Sequence, residues 1–273
     1  MFNYKPRYRS KLRLTLATWY FQARRFLAWL LQSRSFASTQ SGEALPFTVF
    51  THQTPLYRKL RNVDMWIQEN KVHNLKIAII NLDGLTIKPG ETMSFWRRVG
   101  RPSRSKGYKP GMVLNDQGGF DIATGGGLCQ LTNLIYWMTL HTPLTVTERY
   151  LHMYDVFPDS NRTLPFGSGA TCSYNYIDLQ IRNDTTQPFQ LQLSVTDTEL
   201  VGSFRTTTTL PYSYRVYEVS PEIRHEVWGG YSRHNIIMRD THDASHTRIR
   251  SEKICENHAI MSYQPYLEAS QNR

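Results

Sequence analysis

Leu12, Leu16, Trp19, Ala23, Phe26 and Leu30 recur at the three- and four-residue steps of one helical face, so the chain opens on an amphipathic helix. A polar stretch over residues 33–43 follows and reads as a linker. Leu56, Leu60, Val63 and Ile67 then repeat at helical spacing. The period changes where Leu75-Lys-Ile-Ala-Ile-Ile80 and Leu85-Thr-Ile87 flank Asn81-Leu-Asp-Gly84, a strand, turn, strand signal. Further runs rich in Val, Ile, Tyr and Thr stand at 112–115, 145–149, 177–182, 189–195, 212–219, 235–239, 248–254 and 259–263, without the helices that parallel crossovers need. One helix interrupts them over residues 129–140, marked by Leu131, Leu134, Ile135 and Met138. The pattern predicts an α+β fold, mainly antiparallel sheet with a central cysteine-bearing helix and N-terminal helices. It divides the chain into a helical arm and linker over 1–43 and a body over 44–273.

A chain of 273 residues buries a substantial core as one large domain with a helical appendage. The formal charge of +10 sits at the front: Lys5, Arg7, Arg9, Lys11, Arg13, Arg24, Arg25 and Arg34 all precede Glu43, the first acidic residue, and the remainder is close to neutral. No RNA-binding or helix-turn-helix signature accompanies this arm, so no specific nucleic acid is expected. Gln22, Arg24 and Arg25 interrupt the first apolar segment. An arginine at mid-bilayer costs about 2.5–3.5 kcal/mol on the insertion scale, which disfavours spanning. Two readings of the arm stay open: residues 1–33 lie on an anionic membrane surface, or the stripe packs on the body. No secretory signal is recognisable, and the three cysteines, Cys129, Cys172 and Cys255, lack C-x-x-C spacing. The expected location is cytoplasmic, peripheral to the inner face of the membrane.

The chemistry concentrates at Thr124-Gly-Gly-Gly-Leu-Cys-Gln130. Gly125, Gly126 and Gly127 allow positive φ or a close backbone approach, and the helix that follows puts Cys129 in its first turn. Free N–H groups and the helix dipole there favour a thiolate. Gln130 and the local amides are candidate oxyanion donors. A cysteine nucleophile needs a base and an orienting group. His141 falls at the far end of the helix, so His152, after the strand that returns from it, is the better base. Asp178 is the candidate orienter, with Asp159 or Asp155 as alternatives. The bland reading stands beside this one: a buried cysteine after packing glycines, and a histidine with an ordinary structural role. Cys172, in a run of small residues, reads as packing. No cofactor and no metal site are expected, since Asp240, His242, Asp243 and His246 read as a solvated turn.

Several motifs occur in a telling order: Pro89-Gly-Glu-Thr-Met-Ser-Phe95, Val99-Gly-Arg-Pro-Ser103 with Gly107-Tyr108, Gly125-Gly-Gly-Leu-Cys-Gln130, Glu148-Arg149 with His152, and Asp178-Leu179 with Arg182-Asn183. They resemble the successive motifs of the VanW family from about residue 74 to residue 205. Gly229-Gly-Tyr-Ser-Arg-His-Asn235 and Tyr263-Gln-Pro265 are similar to its resistance-cluster branch. The resemblance implies glycopeptide (vancomycin) resistance and cell-wall metabolism, with a peptidoglycan peptide or cell-wall precursor as partner. It adds Glu148 and Arg149 to Gly125, Gly126, Gly127 and Gln130 as binding candidates. In two places the chain departs from the family. Tyr150 stands where many members carry the first histidine of a Glu-Arg-His-x-His stretch, and Gly169 stands where many carry an acid. The two functional expectations are a Cys129–His152–Asp178 hydrolase or transferase and a non-enzymatic module whose glycine loop cradles an anion.

Overall fold

A computed structural model describes residues 10–32, 35–58, 63–115, 117–158 and 164–265. Its first half contains α1 (Lys11–Leu31), β1 (Phe47–Pro55), α2 (Met65–Ile79), β2 (Leu85–Ile87), β3 (Thr92–Ser94), α3 (Phe95–Val99), β4 (Pro110–Leu114), β5 (Phe120–Thr124) and α4 (Cys129–Leu140). The second half contains β6 (Thr145–Glu148), β7 (Tyr154–Asp155), β8 (Gln180–Arg182), β9 (Phe189–Val195), β10 (Glu199–Thr206), β11 (Ser213–His225), β12 (Tyr231–His242) and β13 (Arg248–Met261). The fold is α+β and mainly antiparallel, as the alternation of apolar and polar positions predicts.

Leu131, Leu134, Ile135 and Met138 lose all contact with solvent, so α4 is a core helix rather than a surface one. It packs on β1 and β10 of a sheet ordered β1-β10-β9-β2. Every second residue of β10 is buried, and Gly202 lets that strand come close: a Cβ there would meet Met138 Cε at 2.7 Å. On β9 rests α2, which also contacts the β4–β5 hairpin. Strands β11-β12-β13 form a long meander, with β7 added in parallel to β13, and β3-β8-β6 form a third small sheet.

Several expectations need correction. The run at 75–80 lies in α2 up to Ile79, because Ile67, Val72, Leu75, Ala78 and Ile79 bury at helical steps. β-Branched residues are tolerated in a helix whose packing supplies the stability. Leu56 follows β1 instead of starting a helix, and Leu60 lies outside the described residues. The runs at 248–254 and 259–263 merge into one strand, β13, which ends at Met261, and no run in the pattern marks β1, β3, β5, β7 or β10. The segment expected as a linker is docked: Phe36 and Ala37 are buried, Phe36 bridges to Thr92 and Gln40 to Leu85.

Helix α1 also docks, but not by the stripe read from the sequence. Gln22 Nε2 donates to Tyr174 O at 2.8 Å, Arg25 pairs with Glu148, and buried Trp29 accepts at its carbonyl from Arg97 at 3.0 Å. Leu12, Leu16, Trp19 and Leu30 stay 55–75% exposed. No described helix is long and apolar enough to cross a membrane.

Candidate functional site

The glycine run is built for close approach. Gly125 (φ +81°) packs on Pro102, Gly126 lies against the Gly111 backbone, and Gly127 (φ +93°) covers the stem of Lys71. A Cβ on Gly126 would sit 2.1 Å from Gly111 O, so no side chain fits. Asn74, fully buried in α2, fixes this turn with its whole amide. Its Nδ2 donates to Gly126 O and Lys109 O, each at 3.0 Å, and its Oδ1 accepts from Lys109 N at 2.8 Å. The amides of Gly125 and Gly126 are committed to Lys109 O and Ala123 O. No described residue accepts from the amides of Gly127, Leu128 or Cys129 at the start of α4.

Two further segments are fastened beside Cys129. Thr132 Oγ1 donates to Ala170 O at 2.6 Å and Asn133 Oδ1 accepts from Ala170 N at 2.7 Å, which anchors the segment carrying Thr171 and Cys172 to α4. Thr171 N donates in turn to Tyr150 O at 2.8 Å, which holds the segment carrying His152. As a result Cys129 Sγ lies 3.8 Å from Thr171 Oγ1 and 3.7 Å from Cys172 Sγ, and Thr171 Oγ1 is 3.2 Å from His152 Nδ1. Cys129, His152, Thr171 and Cys172 all face a cavity of about 700 Å³. The Cys172 thiol and then the His152 imidazole hold the Cys129 thiol well below the usual range, against the opposing effect of burial. Cys172 moves the other way, pushed well up by Cys129 and by burial.

The remaining candidates occupy structural positions. Asp178 accepts from Ser94 Oγ at 2.6 Å, from Trp96 N and Leu179 N at 3.0 Å, and from Gln180 Nε2 at 3.3 Å. It therefore secures the first turn of α3, and burial pushes its carboxyl up to about 6. The group at His152 Nδ1 is Thr171, not Asp178. Asp155 faces the cavity but pairs with Arg233 at 3.2 Å and accepts from Tyr263 at 3.0 Å; Asp159 lies outside the described residues. Gln130 spends its amide nitrogen on Thr54 Oγ1 (3.0 Å) and Pro55 O (2.9 Å). Glu148 pairs with Arg25 and accepts from Asp178 N at 3.1 Å, while Arg149 clasps the carbonyls of Gly167 and Gly169. His141 closes the far end of α4, stacked on Phe50 at 3.9 Å, and burial drives it down to about 4.

Asn74, Thr132, Thr171 and Cys172 position or contact the thiol and went unread as site residues. The one signal the sequence offers for Asn74 is a polar residue directly ahead of the apolar run 75–80, and that run predicts a strand where the chain forms α2.

The sequence profile of a family described as "VanW like protein" matches residues 70–205. The chain is 41% identical over 167 residues to the vancomycin B-type resistance protein VanW of Enterococcus faecalis (strain ATCC 700802 / V583), covering 61% of this chain and 60% of that one. It is 28% identical over 124 residues to the uncharacterized protein YoaR of Bacillus subtilis (strain 168), covering 45% of this chain and 39% of that one. The matches thus span less than two thirds of either relative. No solved structure matches at a significant level.

Proposed function

The chain belongs to the VanW family through residues 70–205, and from that premise we propose that it serves vancomycin resistance as a cysteine-dependent enzyme acting on a peptidoglycan peptide or cell-wall precursor. One observation carries the proposal: a thiol held low in the first turn of α4, in contact with a hydroxyl that reaches an imidazole, at the wall of a large cavity. In this reading His152 takes the proton from Cys129, and the thiolate attacks a carbonyl carbon. The departing amine receives that proton from His152, leaving an acyl thioester on Cys129. Water or an acceptor amine, deprotonated by His152, then attacks the thioester, and the proton returns to the sulfur. Thr171 orients the imidazole, the place expected for Asp178. The amides of Gly127, Leu128 and Cys129 are the oxyanion donors, in place of the Gln130 side chain. Arg58 and Arg101 along the cavity suit the carboxylate of a peptide.

The exposed face of α1 adds an anionic lipid surface as a partner: Leu12, Leu16, Trp19 and Leu30 would enter the interface beside Lys11, Arg13 and Arg24.

Incubation with purified muropeptides, followed by mass spectrometry of products and of intact protein, tests the chemistry. The proposal expects a product and an acyl adduct on Cys129, both lost in Cys129→Ser. Binding by calorimetry that persists in Cys129→Ser, with neither product nor adduct in the parent, overturns it in favour of a non-enzymatic binding module.

A further inference from the structure

The long β11–β12–β13 meander takes no part in the cysteine site's chemistry, yet it gathers metal-ligand side chains. His234 in β12 stands directly opposite His258 in β13, so both imidazoles project from one face of the meander. Their rings lie 4.0 Å apart, and His258 Nδ1 is 2.7 Å from His234 Nε2. Glu226, in the turn that joins β11 to β12, reaches the same point. Its carboxylate accepts from Ser232 Oγ, which is also 3.1 Å from His234 Nε2. One ligand atom from each of Glu226, His234 and His258 can be chosen so that all lie within 4.8 Å of one another.

From this convergence we propose that Glu226, His234 and His258 bind a divalent transition ion of the zinc class, with water in the fourth position. The sequence alone gave no reason to expect a metal here. Zinc takes His nitrogen and carboxylate oxygen at about 2.0–2.2 Å, so donors on a tetrahedral ion stand roughly 3.3–3.6 Å apart, a separation that side-chain rotation brings the three groups to from the arrangement present. Two imidazoles and one carboxylate are a donor set that leaves one position open on a tetrahedral ion. Ser232, donating to Glu226, supplies the outer hydrogen bond that orients a ligating carboxylate. The nearby cation, Arg224, is paired with Glu222 at 2.6 Å, and Glu256 adds negative charge near His234. On the opposite face, the adjacent residues Asn235 and Asn257 hydrogen-bond each other at 2.8 Å and hold Phe166 O, at the base of the loop that runs to Thr171. An ion clamping β12 to β13 would therefore stiffen the frame behind that loop.

Calorimetric titration of chelator-treated protein with zinc chloride, alongside the visible spectrum of the cobalt form, tests the site. Because Cys129 and Cys172 are an alternative zinc ligand pair, the same titration is made on Cys129→Ser/Cys172→Ser. The expected result is one equivalent bound by both proteins, a cobalt spectrum without thiolate character, and a zinc-dependent rise in Tm. His234→Ala and His258→Ala, checked for fold by circular dichroism, should lose the binding and the rise in Tm. Ser232→Ala should weaken binding about tenfold or more. No zinc uptake by the parent, uptake unchanged in both histidine variants, or uptake lost in the double cysteine variant overturns the proposal.

Discussion

Three influences meet at the sulfur of Cys129: the Cys172 thiol and the His152 imidazole favour the thiolate, and burial opposes it. The Cys172 contact is the strongest of the three, so its removal has a measurable consequence. Cys172→Ala is expected to raise the pH at which Cys129 ionises, read from thiolate absorbance between pH 5 and 10; an unchanged midpoint would mean that the sulfur contact does not act on Cys129. Cys129 itself was legible because glycines followed by helical apolar spacing place it in a first turn. Its neighbour Cys172 was not, because the two sulfurs meet across 43 residues of chain through a segment anchored by Thr132 and Asn133. The partners of Asp178 were hidden for the same reason: its charge is answered by Ser94 and Trp96, more than eighty residues earlier.

Among the elements, α2 and α1 show how packing overrides local pattern. Asn74 makes three hydrogen bonds from inside α2 to the turn that delivers Cys129. Asn74→Ala leaves Lys109 N, Lys109 O and the buried Gly126 O without their partner, and each unmet buried group costs about 1–3 kcal/mol. A loss of about 3 kcal/mol in urea unfolding is expected, together with slower alkylation of Cys129 in the folded protein; stability within about 0.5 kcal/mol of the parent would show that Asn74 does not hold the turn. Helix α1 was legible in extent but not in orientation. Periodicity marks an apolar stripe without saying which face meets the body, and the polar anchors Gln22 and Arg25 decided that with Trp29. Leu16→Ser, Trp19→Ser and Leu30→Ser combined should leave the docked face intact and reduce co-sedimentation with vesicles containing anionic lipid. Added salt should reduce the sedimentation of the parent. Equal sedimentation of parent and triple variant would remove the membrane from the account.

At the scale of the whole molecule, the site exists only where distant segments converge: the start of α4, the chain after β6, and the segment at 170–172 that α4 itself holds. Fold class was readable because short alternating runs without crossover helices leave little besides antiparallel sheet. Which strands pair is a property of the long-range contacts, and so is the choice of Thr171 rather than an acid beside His152. Rates of iodoacetamide labelling of the folded protein, resolved by peptide mass spectrometry across pH, test the convergence most directly. In the parent, Cys129 should label faster than Cys172 or Cys255, with a midpoint below the value of about 8.5 for a free cysteine. His152→Ala should slow that labelling at neutral pH and move the midpoint upward, because the imidazolium no longer supports the thiolate. A Cys129 that stays unreactive until the protein unfolds, or whose labelling is indifferent to His152, would contradict the account.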